Sequence, residues 1–120
     1  MIPMPASVRV FICTTPCDMR RSFDGLAAMT KQVIRHNPFS GHVFVFRNRK
    51  GHLVKVLWWD RSGFALFYKR LEKGVFSFPE NDKGYVEVDA AELALLLEGI
   101  DLEGARRRPR FELEVTRSSG

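Results

Sequence analysis

Two apolar runs separated by three residues constrain this chain more than anything else in it. "HVFVFRN" (42–48) and "HLVKVLWWD" (52–60) are rich in β-branched and aromatic residues and flank "RKG". That arrangement predicts an antiparallel hairpin, with Gly51 supplying the positive backbone angle of the turn. The first run is apolar on both faces and belongs inside a sheet. In the second, Val54, Val56 and Trp58 share one face, while Leu53, Lys55, Leu57 and Trp59 share the other. Adjacent strand residues point oppositely, so Trp58 and Trp59 cannot both stack on one strip of bases. Trp58 is assigned to the core with Val54 and Val56, and an exposed stacking role for Trp59 is the weaker reading.

The flanking segments fill out an α+β domain. "VRVFICT" (8–14) has strand composition. A long helix is expected after it, with Thr15 as N-cap, Pro16 at the first helical position and Asp18 three residues past the cap. "HNP" (36–38) is its expected end. Within it, Gly25 costs about 1 kcal/mol unless a close packing contact requires it. "SGFALFYKRLEKG" (62–74) reads as a short amphipathic helix with Phe64, Phe67 and Leu71 inward. "VFSFP" (75–79) and "YVEVD" (85–89) read as strands around a turn at "ENDKG". "DAAELALLLEGI" (89–100) reads as a buried helix opened by a capping box of Asp89 and Glu92. The expected order is β-α-β-β-α-β-β-α: a mainly antiparallel sheet with about three helices. Residues 1–104 form the single domain and 105–120 a basic C-terminal arm.

Charge is segregated along the chain. Residues 1–73 hold 13 Lys/Arg against 4 Asp/Glu, a net of +9. Residues 74–104 hold one lysine against eight acids, a net of −7, and residues 105–120 five arginines against two acids, a net of +3. Such a distribution suits a polyanion on one part of the surface and a different neighbour on another. The candidate phosphate contacts are Arg47, Arg49 and Lys50 at the hairpin turn, with Lys55 on the return strand and Arg61 beyond it. Lys69 and Arg70 follow, with Lys73 beside them, and the arm adds Arg106, Arg107, Arg108 and Arg110. Arg20 and Arg21 join them because cations at a helix start oppose the dipole, which calls for a buried acid or a phosphate nearby. The competing explanation for the hairpin cations is protection of sheet edges. The acidic block, with Glu80, Asp82 and Glu87, suggests instead a module that docks on a protein.

Catalysis is not expected. Before Glu72 the acids are Asp18, Asp24 and Asp60, each with a local explanation, so the three-carboxylate metal centre of a DNA-cutting enzyme is missing. No nucleotide-loop, zinc-protease or nucleophile-elbow motif occurs. Cys13 and Cys17 lack a second ligand pair, and His36, His42 and His52 are not spaced to supply one, so no metal or cofactor is expected. Neither a secretory leader nor an apolar run of about 18 residues is visible, and two cysteines suit reduced thiols. The expectation is a cytoplasmic protein.

Four segments together resemble one family: "TTPCDMRRSFDGLAAM", "GHVFVFRNRKG", "VLWWDRSGFALFYKRLEKGVF" and "AAELALLLEGIDLEGARRRPR". They are similar to the small TnpB-type accessory protein of the insertion-sequence 66 family, the product of its second open reading frame. The likeness spans about residues 2 to 111. The motif residues it carries over are Asp18 to Arg20 and Ser22 to Gly25, then Phe46 to Asn48 and Gly51. Trp59, Asp60, Gly63, Phe64 and Tyr68 to Leu71 complete them. Two departures occur: Cys17 stands where a small polar residue is usual, and Trp58 where Tyr or Leu often precedes the second tryptophan. The resemblance implies a bacterial mobile-element protein that assists transposition, unrelated to the RNA-guided nuclease sharing the name. It also implies that a separate transposase supplies the catalytic acids, that no cofactor is needed, and that the transposase and a further accessory subunit are partners. Contact with the element's DNA ends is the role favoured by the basic segments.

Overall fold

Strand β2 (Val43–Arg47) and strand β3 (Leu53–Asp60) form the expected antiparallel hairpin in a computed structural model that describes residues 4–102. β2 is the middle strand of five, as its apolarity on both faces requires. The sheet order is β4-β3-β2-β1-β5, with β1 Val10–Cys13, β4 Gly63–Arg70 and β5 Tyr85–Val88. β1 and β2 run parallel and the other three pairings are antiparallel, so the sheet is mixed. Helix α1 (Phe23–Met29), extended by a π-helical turn over Thr30–Ile34, connects the parallel pair. Helix α2 (Ala90–Leu97) follows β5.

Strand parity divides the core. Val10, Ile12, Val43, Val45, Val54 and Val56 meet Leu93, Leu96 and Leu97 of α2 on one face, and Trp58 packs beside them. Phe11, Phe44, Phe46 and Leu57 meet Leu26, Met29 and Ile34 on the other. The result is a single domain of two helices on opposite faces of a five-stranded sheet. Among the described residues no helix is long and apolar enough to cross a membrane.

Three expectations are corrected. First, residues 62–73 are not a helix. Gly63–Arg70 pairs residue for residue with β3 through a two-residue turn at Arg61 and Ser62, Arg61 taking a φ of 57°. The run is apolar on both faces, with Phe64 and Leu66 toward α1 and Phe67 toward α2, which a strand beside β3 buries and a one-faced helix would not. Second, "VFSFP" is not a strand: it crosses the sheet's α2 face on its way from one edge to the other, burying Phe76. Among the described residues the order is therefore β-α-β-β-β-β-α, with two helices rather than about three.

Third, the first helix begins at Phe23, not at Pro16. Cys17 N donates to Arg47 O at 2.8 Å, tying the strap 15–22 to the end of β2. The carbonyls of Met19 and Arg21, which a helix would use internally, accept instead from Lys55 Nζ at 2.8 and 2.7 Å. Gly25 has the close contact that justifies it, since a Cβ there would sit 3.0 Å from Arg21 Cβ. At the other end of the domain the Asp89–Glu92 capping box is present with both reciprocal hydrogen bonds.

Candidate nucleic-acid interface

Because β1 and β2 are parallel and β3 and β4 alternate, one end of the sheet collects four backbone segments. These are the strap 15–22 after β1, the turn 48–52 after β2, the exit of β4 at Arg70, and the C-terminal end of α2, whose Leu97 O accepts from Lys69 Nζ at 2.7 Å. Asn48 builds the turn. Its side-chain oxygen accepts from Gly51 N and Leu53 N, both at 3.0 Å, and Gly51 takes a φ of 83°. The local result is that Arg49 and Lys50 stand exposed at the tip, with no side-chain hydrogen bond or ion pair among the described residues.

Arg47 is placed differently from its neighbours. Its guanidinium lies over the Phe78 ring at 5.5 Å, and Nη1 donates to Asn48 O at 3.4 Å. Its Nε is buried without a hydrogen-bond partner among the described residues. It borders an open groove of about 340 Å³ together with Arg49, Lys50, Ser77, Phe78, Glu80 and Asp101. Two carboxylates share this groove, so its field is mixed rather than purely positive.

The other candidates divide into occupied and unoccupied charges. Arg20 pairs with Asp18 at 2.6 Å through a side chain 92% exposed, and the guanidinium's hydrogen bonds pull the Asp18 carboxyl down to about 2. Arg21 is exposed, and its Nη1 donates to Gly25 O at 3.4 Å. Arg70 pairs with Glu72 at 3.0 Å. Lys55 is 6% exposed, its ammonium held by two strap carbonyls and lying 4.7 Å from the Tyr68 ring centroid. It anchors the strap and is not presented to a partner. Lys69 likewise caps α2. Arg61 sits in the β3–β4 turn at the opposite end of β3, roughly 25 Å away at the rise of a strand. Arg106, Arg107, Arg108 and Arg110, with the whole 105–120 arm, lie outside the described residues.

The structure thus gathers Arg20, Arg21, Arg47, Arg49, Lys50 and Arg70 at one sheet end and leaves Arg61 apart. Within that end, parity puts Arg47 and Lys69 on the α2 face and the strap arginines and Arg70 on the α1 face, with the 48–52 turn between. The groove partners Ser77, Phe78 and Asp101 are missing from the sequence-derived set. Ser77 and Phe78 lie in a segment that alternates like a strand, which hid its role as a crossing loop.

The remaining chemical groups have structural settings. Asp60 ends β3 far from Asp18, and among the described residues no three His, Cys, Asp or Glu side chains converge as metal ligands would. Cys13 and Cys17 are free and buried. Burial pushes the Cys17 thiol up to about 11, and Cys13 is raised for the same reason. Trp59 is half-buried, its ring edge-on to Phe39 and Phe64 at 5.2 and 5.1 Å.

Residues 8–107 match the family described as "IS66 Orf2 like protein". Among curated proteins, the chain is 45% identical over 101 residues to "Uncharacterized protein y4hO" of Sinorhizobium fredii (strain NBRC 101917 / NGR234), covering 84% of this chain and 88% of that one. It is 34% identical over 109 residues to "Uncharacterized protein y4jC" of the same strain, covering 91% and 93%. No solved structure matches.

Proposed function

The chain belongs to the IS66 Orf2-like family of insertion-sequence accessory proteins, and from that premise we propose that it assists transposition without catalysis by binding DNA through the basic sheet end. The observation that supports this is the turn that displays Arg49 and Lys50 without a side-chain partner among the described residues, flanked by Arg20, Arg21 and Arg47. Phosphate contact would engage Arg49 and Lys50 first. Arg21 and the arginines of the 105–120 arm add non-specific affinity, and Arg20 and Arg70 contribute after leaving Asp18 and Glu72. The protein works inside the bacterial cell beside the transposase, which carries out strand chemistry.

Mobility shift with duplex DNA from the element's ends, across a salt series, tests the reading. The expected log–log slope has a magnitude of several, falling by about 0.9 for each of Arg49→Ala and Lys50→Ala. No binding at low salt refutes it. A second reading has its own observation: Glu80 and Asp101 stand in the groove beside Arg47, a mixed-charge surface of the kind a protein partner meets. Capture of the transposase that is lost on charge reversal at Glu80 and Asp82, but kept in Arg49→Ala, favours that reading. Glu87 is the weakest of the acidic candidates, because Arg9 already pairs with it at 2.6 Å.

A further inference from the structure

Strand β4 is an edge of the sheet, and no described residue pairs with its outer rim. Leu71 N donates to His52 O at 2.9 Å, which sets the parity of the ladder. Odd-numbered residues of β4 bond to β3, and the backbone groups of Phe64, Leu66, Tyr68 and Arg70 point away from the sheet. None of these four makes a backbone hydrogen bond on that side among the described residues. Proteins usually blunt such edges with proline, a bulge, a charge in mid-strand or a covering segment. Here eight consecutive residues pair with β3 without a bulge, and the strand contains no proline. Lys69 is drawn onto the α2 face by Leu97 O, and Arg70 stands only at the strand's end.

A second observation falls on the same edge. Among the described residues the exposed large hydrophobics are Phe23, Phe39, Tyr68 and Val75. Tyr68 is on β4 itself. The Phe39 ring packs 5.2 Å from Phe64 of β4. Phe23 starts α1 two residues after Arg21, whose carbonyl is held by the Lys55 ammonium that lies against Tyr68. Three of the four exposed residues therefore flank β4 on the α1 side.

We infer that β4 is a self-association strand, on which a second copy of this chain pairs antiparallel about a two-fold axis through Leu66. The strand is self-complementary in that register. Leu66 faces Leu66, Phe64 faces Tyr68 and Ala65 faces Phe67, so every central pair is apolar and two of them are aromatic-bearing. The two-fold sends Lys69 and Arg70 of the two copies to opposite ends, whereas a parallel pairing would set them side by side. The product is a continuous ten-stranded sheet, twice the five strands of one copy, with its basic ends at opposite poles. The inference does not depend on DNA binding.

Sedimentation equilibrium of the full chain from about 1 to about 100 μM, with amide exchange at both limits, tests it. The expected result is a concentration-dependent dimer in which the amides of Phe64, Leu66, Tyr68 and Arg70 become protected on association. Tyr68→Lys should weaken dimerisation about tenfold or more while the monomer stays folded by circular dichroism. Tyr68→Pro should do the same, since the N–H it removes faces outward. A monomer throughout the range overturns the inference, as does a dimer in which those four amides exchange freely. Should either variant unfold, the exchange pattern of the unmodified chain decides alone.

Discussion

Replacing Lys55 with Met keeps the side chain's length and removes its charge, and the consequences can be worked from the contacts. Two charge-assisted hydrogen bonds to Met19 O and Arg21 O are lost, each worth about 1.5–3 kcal/mol net. The contact with Tyr68 adds about 0.5–2 kcal/mol. Against this stands the relief of an ammonium buried to 6% exposure, a desolvation cost of several kcal/mol. The strap carbonyls left behind lie at the domain surface, where water reaches them in part, so their own penalty is reduced. The balance is a loss of about 2–3 kcal/mol, or a Tm lower by about 10 °C for a domain of this size. Urea denaturation with an unchanged m value should show it. Amide exchange at Cys17, whose N–H ties the strap to Arg47 O, should accelerate ahead of the rest of the fold. The salt slope of DNA binding should stay where it is. A destabilisation below about 0.5 kcal/mol would mean that Lys55 does not hold the strap. A slope lowered by about one would mean that its ammonium reaches phosphate after all.

Other substitutions probe the frame around that site. Gly84→Ala should destabilise by at least about 2 kcal/mol in thermal melts, because φ is 95° and the new Cβ would lie 2.9 Å from Val33 O. Asp89→Ala removes the cap of α2 and should cost about 1 kcal/mol by the same measurement. Cys17 gives a pH dependence of definite sign. Its thiol is raised from 9.0 to about 11 in the fold, so the unfolded chain loses that proton first. Its contribution to stability is complete below pH 9, falls as pH climbs between the two values, and should disappear in Cys17→Ser. Thiol-reactive probes at pH 8 should label Cys17 only at the rate of opening.

The hairpin, the two faces of β3 and the capping box of α2 are legible from sequence because each rests on neighbours within a few residues. β4 is not, since Phe64, Phe67 and Leu71 satisfy a helical spacing while Phe64, Leu66 and Tyr68 satisfy an alternating one. What decides between them is the open side of β3, a tertiary fact. The start of α1 misleads for a similar reason. Thr15, Pro16 and Asp18 have the local chemistry of a helix start, but the competitor for the strap's carbonyls is Lys55, 34 residues beyond Arg21. A signal was nonetheless present: Lys55 shares its strand face with Leu53, Leu57 and Trp59, an apolar surround in which a lysine must find acceptors. Cations on alternating apolar strands are better first tested as anchors than counted as phosphate contacts.

That distinction reshapes what the family motif says about this chain. Several of its polar residues serve the fold: Asn48 and Gly51 form the turn, Lys69 closes α2, Gly25 admits Arg21, and Asp18 holds Arg20. None of these arrangements needs a partner to explain it. Arg49 and Lys50, which lie between two of those motif positions, have no such local use, and the turn that carries them is over-determined by Asn48 accepting from two backbone amides. A turn fixed by its own hydrogen bonds, presenting two cations that no described residue pairs, reduces the ordering cost of a contact made there. Specificity cannot arise from those two charges alone, because phosphate contacts position a protein without reading bases. On the DNA-binding reading proposed above, whatever selects the element's ends would come from groups beside the turn or from a partner protein. On that reading the candidate is Arg47 at the groove wall, whose Nη1 donates to Asn48 O and whose buried Nε has no partner among the described residues.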